Sequence, residues 1–512
     1  MIIFNISNKN STIPFLKKTQ LIISQNPILT YGFFTLIITI LLNWGIFKDY
    51  AFRDSYEYIW TAGNKLNFKD EFIQGGRFLL GIIFEFVYHH SNSIANLKWV
   101  RLFSLLTSVI FSIQVFSFLL NHKMKINEAA LFSFLILTIP SFTVYIGWSA
   151  TFEIPLLLSL SFFSGQLLLK ALDKKKVVIF NYLIPLILVL ISLCTYQSAA
   201  MAFLLPFIFR TILYKKIDLK KLIYLIFFSG IAFILFYCVF KIALNWYNLA
   251  PSKRTDVSII KLPLNIILFF LKDLRMVFYG SGILTFSKLF FAVGVFSFLG
   301  FFYLNFLKKD TKQPFYIFLF FFILILPLSF APNILSSTNY TCSRSIGVTA
   351  IIVLFYQFIF LKNLSSKNII FRRITLTFVL LTIVVSAINQ NIYISKIQNT
   401  EYFSIKKAFN EIPLNNTKKI IVIKPNEDFL QKYKYYKNLY ADEFSQISSS
   451  RIWVPKPIFN QLKKERLDSL NFSNNNYLED NVAVFNTDDK YDDTNAIVIN
   501  LVDILEKAFN DD

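Results

Sequence analysis

Residues 221–243 read KLIYLIFFSGIAFILFYCVFKIA, an apolar stretch with no charged side chain between Lys221 and Lys241. A helix needs about 20 such residues to cross the hydrocarbon core of a bilayer, so this stretch predicts a membrane span. The whole chain has the same character, because 55% of its 512 residues are hydrophobic and 60 of them are Phe. Only 16% of the residues are charged, whereas a soluble domain has about 25%. The composition therefore excludes a soluble globular protein.

Similar apolar stretches recur along most of the chain and predict an all-α polytopic membrane protein with about eleven transmembrane helices. The predicted spans lie near residues 28–47, 97–120, 127–146, 154–172, 177–195, 197–214, 221–243, 286–306, 315–333, 346–361 and 374–393.

The basic residues between the spans predict the orientation of the protein. Lys and Arg in short loops mark the cytoplasmic side, and here they occupy every second connection: Lys17-Lys18, Lys123 with Lys125, Lys174 to Lys176, Lys215-Lys216 with Lys220-Lys221, Lys308-Lys309 and Arg372-Arg373. With an odd number of spans, the N-terminus is then cytoplasmic and the C-terminus extracytoplasmic. The net charge of +21 is explained by these loops, so the bilayer is the predicted partner and nucleic acid is not.

Three regions follow from this topology. Residues 1–27 form a cytoplasmic N-terminal segment, residues 28–393 form the transmembrane module, and residues 394–512 form an extracytoplasmic domain. The module carries outer loops at 48–96, 244–285 and 334–345, in which the short stretches Phe78 to Tyr88 and Leu262 to Phe278 predict helices lying along the membrane surface. Strand-like runs at 419–423 and 496–499 and a helix-like stretch at 429–440 predict a small α/β fold for the last domain.

Carboxylates follow the first span at the predicted outer surface, in Phe52-Arg53-Asp54-Ser55-Tyr56-Glu57. Asp54 is the candidate general base, since a carboxylate beside the bilayer can take a proton from an attacking hydroxyl. Glu57 is three residues further on and would share a helical face with Asp54, where it could help to bind an acceptor or a metal. The alternative is a solvated loop whose mixed charges have no chemical role.

Basic side chains in the outer loops could bind a leaving phosphate. Arg344 is the only basic residue of its loop, and a guanidinium can donate two hydrogen bonds to phosphate oxygens; the alternative is that it reaches out to lipid headgroups. Lys253 and Arg254 could also bind phosphate or belong to an exposed charged loop. Arg77 could pair with phosphate or with a carboxylate of its own loop.

Several short motifs, taken in order, resemble the bacterial type II glucosyltransferase family that modifies O-antigen, within the GT-C superfamily of polyprenyl-phosphate-dependent membrane glycosyltransferases. The motifs are Arg53-Asp54-Ser55, Gly75-Gly76-Arg77-Phe78-Leu79, Thr195-Tyr196-Gln197, Ser343-Arg344, Glu443-Phe444, Ser448-Ser449-Ser450 and Trp453.

The resemblance implies an inverting enzyme of the bacterial inner membrane. It would move a sugar, commonly glucose, from undecaprenyl-phosphate-sugar to a surface glycan such as the O-antigen of lipopolysaccharide, on the outer face of that membrane. By this analogy Asp54 is the base, Arg344 holds the carrier phosphate, and Tyr196 and Gln197 line the sugar pocket. The alternative for Tyr196 and Gln197 is an ordinary interfacial helix end.

One departure from the family pattern concerns metal ions. Related proteins often have two adjacent acidic residues in the first loop, whereas here Arg53 precedes Asp54 and the next carboxylate is Glu57. The three cysteines and three histidines show no ligand spacing. No metal and no cofactor is therefore predicted, although a divalent ion would be compatible with the chemistry.

Two other functional classes share the polytopic, basic character. A flippase or transporter of lipid-linked glycan needs charged residues deep in its spans and commonly has internal repeats, neither of which is evident in this sequence. An O-antigen polymerase also uses undecaprenyl-linked sugars, but such enzymes tend to rely on arginines of large outer loops without a carboxylate after the first span.

Overall fold

The computed structural model describes residues 26–63, 68–174, 179–253, 255–279, 288–307, 315–338, 340–412, 419–433, 444, 446–469, 482–487, 489–491 and 496–510. Within these ranges the protein is mostly helical, with one small sheet.

The α-helices run in chain order from the first described residues to the last ones. They are Pro27–Leu42, Asp54–Gly63, Lys69–Gln74, Phe78–His90, Leu97–Asn121, Ile126–Ile136, Pro140–Gly147, Ile154–Asp173, Phe180–Thr195, Gln197–Ala200, Leu205–Tyr214, Leu219–Trp246, Leu262–Leu268, Leu274–Tyr279, Lys288–Leu307, Phe315–Ser329, Ala331–Leu335, Gly347–Ser365, Ile369–Ile388, Ile397–Asn410, Pro455–Ser469 and Leu501–Asn510. Shorter 3₁₀ turns lie at Trp44–Phe47, Ile94–Asn96, Ser149–Thr151, Met201–Leu204, Phe429–Lys432 and Ser448–Ser450, and π-turns lie at Phe269–Asp273 and Asn389–Lys396.

Among the described residues, six helical stretches are long and apolar enough to cross a membrane: Ile94–Asn121, Ser149–Asp173, Gln197–Tyr214, Leu219–Trp246, Gly347–Ser365 and Ile369–Asn410. A seventh would be the pair Ile126–Ile136 and Pro140–Gly147, which is bent by 57°. The bend falls at Pro140, which cannot donate a backbone hydrogen bond to the preceding turn. The protein is thus a polytopic membrane protein, while the full count of eleven spans stays a prediction.

The outward faces of two long helices support a lipid environment. Ile234 on Leu219–Trp246 is 65% exposed and Leu380 on Ile369–Ile388 is 62% exposed, and apolar neighbours surround both. A soluble monomer rarely leaves such continuous apolar surface in water, so these helices face the bilayer.

The C-terminal part contains the predicted α/β fold. Strand β1 (Lys419–Lys424) lies between β2 (Val482–Asn486) and β3 (Ala496–Asn500), and both pairings are parallel. The central strand is buried along nearly its whole length, as parallel strands covered on both faces are. The predicted strands at 419–423 and 496–499 are confirmed. The stretch predicted as helix begins with the 3₁₀ turn Phe429–Lys432, and residues 434–440 lie outside the described part.

The last apolar helix continues through a π-turn into Ile397–Asn410, so no chain break separates the membrane module from the C-terminal part. Buried residues form one core among the long helices and a second core beside it. The second core combines first-loop side chains such as Phe52 and Phe84 with C-terminal side chains such as Phe444 and Phe459. The first loop and the C-terminal part therefore fold as one packed unit.

A buried arginine fixes the start of the first loop. Arg101 is fully buried in the helix Leu97–Asn121, and its guanidinium donates hydrogen bonds to the carbonyl oxygens of Ile46, Lys48 and Tyr50 at 2.9, 2.7 and 2.7 Å. The guanidinium carbon also lies 3.8 Å from the centre of the Tyr50 ring. Arginine satisfies several carbonyls at once because its donors form a rigid fork.

Replacing Arg101 should therefore destabilise the protein. We expect Arg101→Leu to lower the free energy of unfolding by roughly 3 kcal/mol, because three buried carbonyls lose a charged donor. Thermal unfolding in detergent would measure this loss. The control is Lys98→Leu on the same helix, since Lys98 is only half-buried; equal melting temperatures for the two variants would contradict the role of Arg101.

Candidate active site

Asp54 is the first residue of the helix Asp54–Gly63, and Glu57 lies one turn further along. Negative side chains are favourable in the first turn of a helix because the free N–H groups there carry partial positive charge. Tyr56, Ile59 and Trp60 bury the opposite face, which leaves Asp54 and Glu57 half-buried on the same side. Among the described residues, none donates a hydrogen bond to the Asp54 carboxylate.

A group of carboxylates surrounds this helix start. The pKa of the Glu57 carboxyl is raised to about 7, first by burial and then by the negative charges of Glu71 and Asp54. Glu71 is an exposed residue of the short helix Lys69–Gln74. Glu71 could not be singled out by its position in the sequence, because only folding brings its helix beside the helix Asp54–Gly63.

Arg344 is held in a tight turn at the start of the helix Gly347–Ser365. The N–H groups of Ser345 and Ile346 both donate to the carbonyl oxygen of Cys342, at 3.0 and 3.2 Å. The Tyr145 hydroxyl donates to the carbonyl oxygen of Arg344 at 2.9 Å, and a Cβ atom at Gly347 would collide with that hydroxyl. The turn therefore fixes the backbone from which the half-buried guanidinium extends.

Trp148 connects Arg344 to the first loop. The guanidinium carbon of Arg344 lies 4.8 Å from the centre of the Trp148 ring, and the Trp148 Nε1–H group donates to the carbonyl oxygen of Phe52 at 3.1 Å. The charges of Asp54 and Arg344 both act on the Tyr58 hydroxyl. The structure thus brings together the predicted base and the predicted phosphate ligand, which lie far apart in the sequence.

Arg77, Tyr196 and Gln197 form a second arm of the site. The Gln197 side chain donates to the carbonyl oxygen of Gly76 at 2.8 Å, and the Arg77 guanidinium carbon lies 4.8 Å from the centre of the Tyr196 ring. Gly76 has a φ of 67°, a left-handed conformation that glycine adopts without strain. Tyr196 is only 4% exposed. In this structure both side chains support the turn that presents Arg77; their predicted contact with a sugar stays a prediction.

Lys253 lies in an exposed loop next to the same turn. The Ser252 N–H group and the Thr255 hydroxyl both donate to the carbonyl oxygen of Gln74, at 3.0 and 2.9 Å, which ties the loop to the residue before Gly75. The Lys253 side chain itself is exposed. Arg254 lies outside the described residues.

Glu153 is a candidate that sequence reasoning missed. It directly precedes the long helix Ile154–Asp173, its side chain is only 3% exposed, and the positive charges of Arg77 and Arg344 both act on it. Its Oε2 atom has no hydrogen-bond partner among the described residues. Buried carboxylates are costly unless paired and commonly mark functional sites. The available signal was an acidic residue at the very end of an apolar span.

No group of three His, Cys, Asp or Glu side chains that could hold a metal ion occurs within the described ranges. Comparison of the sequence with known proteins finds no matching family model and no matching curated protein.

The raised pKa of Glu57 predicts a pH-dependent stability. A glutamate in an unfolded chain has a pKa of about 4.3, so folding favours the protonated form of Glu57. The contribution of Glu57 to the free energy of unfolding is therefore complete below about pH 4.3. It is lost as the pH rises through the folded-state pKa of about 7. We therefore expect the melting temperature of Glu57→Gln to fall less than that of the unmodified protein between about pH 5 and about pH 8.

The matched control is Asp256→Asn, which changes an exposed carboxylate in the loop after the helix Leu219–Trp246. It should reproduce the pH dependence of the unmodified protein. Parallel curves for all three proteins would show that Glu57 does not titrate in this window.

Proposed function

We propose that this protein is a GT-C-type inverting glycosyltransferase that moves a sugar, with glucose as the expected one, from undecaprenyl-phosphate-sugar to a surface glycan such as O-antigen. The observation that carries the proposal is the contact of Arg344 with Trp148, whose indole N–H donates to Phe52 two residues before Asp54. This contact supports the proposal because Asp54, the proposed base, and Arg344, the proposed phosphate ligand, would then act at one site. The proposal includes the bacterial inner membrane, with this site on its outer face.

The proposed reaction needs a base on one side of the anomeric carbon and positive charge on the other. An acceptor hydroxyl forms the new C–O bond while its proton passes to the Asp54 carboxylate. The bond between the anomeric carbon and the phosphate oxygen breaks, and the electron pair leaves with the lipid phosphate. Arg344, with Arg77 on the second arm, would stabilise the negative charge of that phosphate by charge-assisted hydrogen bonds.

The neighbouring carboxylates support the base role of Asp54. Glu57 carries a pKa of about 7 beside Asp54, so it is partly protonated near neutral pH and can hydrogen-bond an acceptor hydroxyl as donor or as acceptor. Glu57 would therefore orient the acceptor while Asp54 takes the proton.

The flippase alternative needs charged groups along a path through the membrane. The buried charge of Arg101 does not supply such a path, because its donors already bind three backbone carbonyls. The flippase alternative would show itself as glycan crossing vesicles without sugar transfer.

The decisive experiment measures sugar transfer from synthetic undecaprenyl-phosphate-glucose to extracted surface glycan by the purified protein. We expect Asp54→Asn to lower turnover about 100-fold or more, because the amide cannot accept the proton. Asp70→Asn is the control, since it changes a carboxylate of the same loop. Full turnover by Asp54→Asn would exclude Asp54 as the general base. If the unmodified protein transfers no sugar but lipid-linked glycan crosses vesicles that contain it, the protein is a flippase.

The same preparation tests the phosphate contact. Arg344→Ala should weaken binding of the lipid-phosphate donor about tenfold or more. The donor affinity of Arg344→Lys should lie between those of the unmodified protein and Arg344→Ala, because lysine keeps the charge without the bidentate geometry. Donor binding by titration in detergent would measure both. Unaltered affinity in Arg344→Ala would exclude Arg344 as the phosphate ligand.

Glu153 offers a separate test of the site. If its buried carboxyl group is retained for function, Glu153→Gln should lower sugar transfer, because the amide keeps the shape of the side chain but cannot carry a negative charge toward Arg77 and Arg344. Thermal unfolding and transfer would be measured on the same sample. A lower melting temperature with unchanged transfer would instead make Glu153 a structural residue.

A further inference from the structure

The C-terminal part touches the candidate site through Phe444 and residues 446–451, which we call the seam segment. Phe444 stacks on Phe52, with ring centres 4.2 Å apart and an angle of 13° between the planes. It also meets the edge of Trp148 at 6.0 Å, and Phe52 and Trp148 lie 5.1 Å apart. The Phe444 ring is therefore packed against Phe52, which precedes Arg53, and against Trp148, whose ring contacts the Arg344 guanidinium.

A chain of buried hydrogen bonds runs parallel to this aromatic contact. Glu401 is fully buried, and its two carboxylate oxygens accept the N–H groups of Ser448 and Ser449 at 2.9 and 2.6 Å. The Ser448 hydroxyl donates to Gln398 at 2.8 Å and accepts the backbone N–H of Arg53 at 3.1 Å. The chain thus begins on the helix Ile397–Asn410 and ends on the residue before Asp54.

The backbone of Arg53 explains why this contact matters. Its φ is 42°, in the left-handed region that side-chain-bearing residues rarely adopt. Such a conformation persists only where surrounding contacts fix it, and Arg53 is 8% exposed, with a guanidinium that donates to Gln446 at 2.9 Å. Because Arg53 immediately precedes the helix, its backbone angles set the direction in which the Asp54 side chain leaves.

We infer that the seam segment positions both halves of the site, with Ser448 aligning Asp54 through Arg53 and Phe444 supporting Arg344 through Trp148. We regard three of these residues as positioning residues, because they contact other protein groups: Ser448, Phe444 and Glu401. The C-terminal part would then be needed to position Asp54 and Arg344. The catalytic half of this inference rests on the proposed glycosyl transfer.

The Ser448 contact and the Phe444 contact predict different changes in kcat and KM. Loss of the Ser448 hydroxyl frees the Arg53 backbone, so Asp54 is misplaced while the phosphate contacts stay intact. Small misplacements of a reacting group are costly, so we expect Ser448→Ala to lower kcat about tenfold or more. The KM for undecaprenyl-phosphate-glucose should change less than about twofold, because the donor is bound through Arg344.

Loss of the Phe444 ring should change KM more than kcat. Phe444→Leu keeps apolar volume but removes the ring that stacks on Phe52 and meets Trp148. We expect it to raise the donor KM about threefold or more with a smaller effect on kcat.

The chain offers a matched control for each variant. Ser450 belongs to the same buried turn, but within the described part of the chain its hydroxyl bonds to no group outside that turn and donates to the nearby Ile447 carbonyl at 2.7 Å. Phe429 is equally buried in the C-terminal part and its ring contacts Tyr433 and Phe509. Ser450→Ala and Phe429→Leu should therefore resemble the parent protein in kcat and KM, even where they lower the melting temperature.

The experiment compares these four variants in the transfer assay and, on the same full-length samples, by hydrogen exchange of the amides of residues 53–58. We expect faster exchange there in Ser448→Ala than in Ser450→Ala. Equal kcat and equal exchange in the two serine variants would overturn the inference. If the unmodified protein transfers no sugar, the proposed function fails, while the exchange difference still decides whether Ser448 holds Arg53.

Discussion

The first loop depends on the guanidinium of Arg101, which binds the carbonyl oxygens of Ile46, Lys48 and Tyr50 from within a membrane helix. In a bilayer the backbone groups of an irregular segment need partners inside the protein. Arg101 supplies them where the chain leaves its first apolar helix. The turn that follows leads directly to Phe52, Arg53 and Asp54, so the geometry of the candidate site begins with a charge buried for structural reasons.

The charged side chains around the first loop serve two purposes, one structural and one chemical. Arg101 and Glu401 are fully buried and hydrogen-bonded to backbone groups. Asp54, Glu57 and Arg344 are half-buried on the side where the first loop meets the helix ends. Partial burial strengthens the electrostatic interactions of such groups and leaves them accessible to a ligand. Glu153 is deeply buried and has an oxygen without a hydrogen-bond partner among the described residues, so it resembles the candidate functional groups Asp54, Glu57 and Arg344 more than Arg101 and Glu401.

The second core explains how the first loop can hold functional side chains in fixed positions. Helices of the first loop and elements of the C-terminal part share one set of buried aromatic and aliphatic side chains. Loops that hold functional groups need a rigid support. Here the membrane helices support one side of the loop and the parallel sheet with its helices supports the other.

The long apolar helices and two of the strands could be predicted because their signals are local. Apolar stretches of span length indicated the long helices, and short apolar runs indicated β1 and β3. The C-terminal helices Ile397–Asn410, Pro455–Ser469 and Leu501–Asn510 were missed. Strand β2 (Val482–Asn486) was missed, although it is as long as β3 and likewise pairs with β1. The bend between Ile126–Ile136 and Pro140–Gly147 was also missed, because an apolar composition is the same for a straight and a bent helix pair.

Amino-acid composition by itself determined that this chain belongs in a membrane, because the transfer energy of its apolar stretches needs no tertiary context. The types of residue also identified Asp54 and Arg344 as groups suited to acid–base and phosphate chemistry. Only the tertiary structure decided that Trp148 joins them, that Glu153 and Glu71 lie nearby, and that Ser448 holds the backbone before Asp54. Those relations arise from packing between segments distant in sequence, and no local pattern encodes such distances.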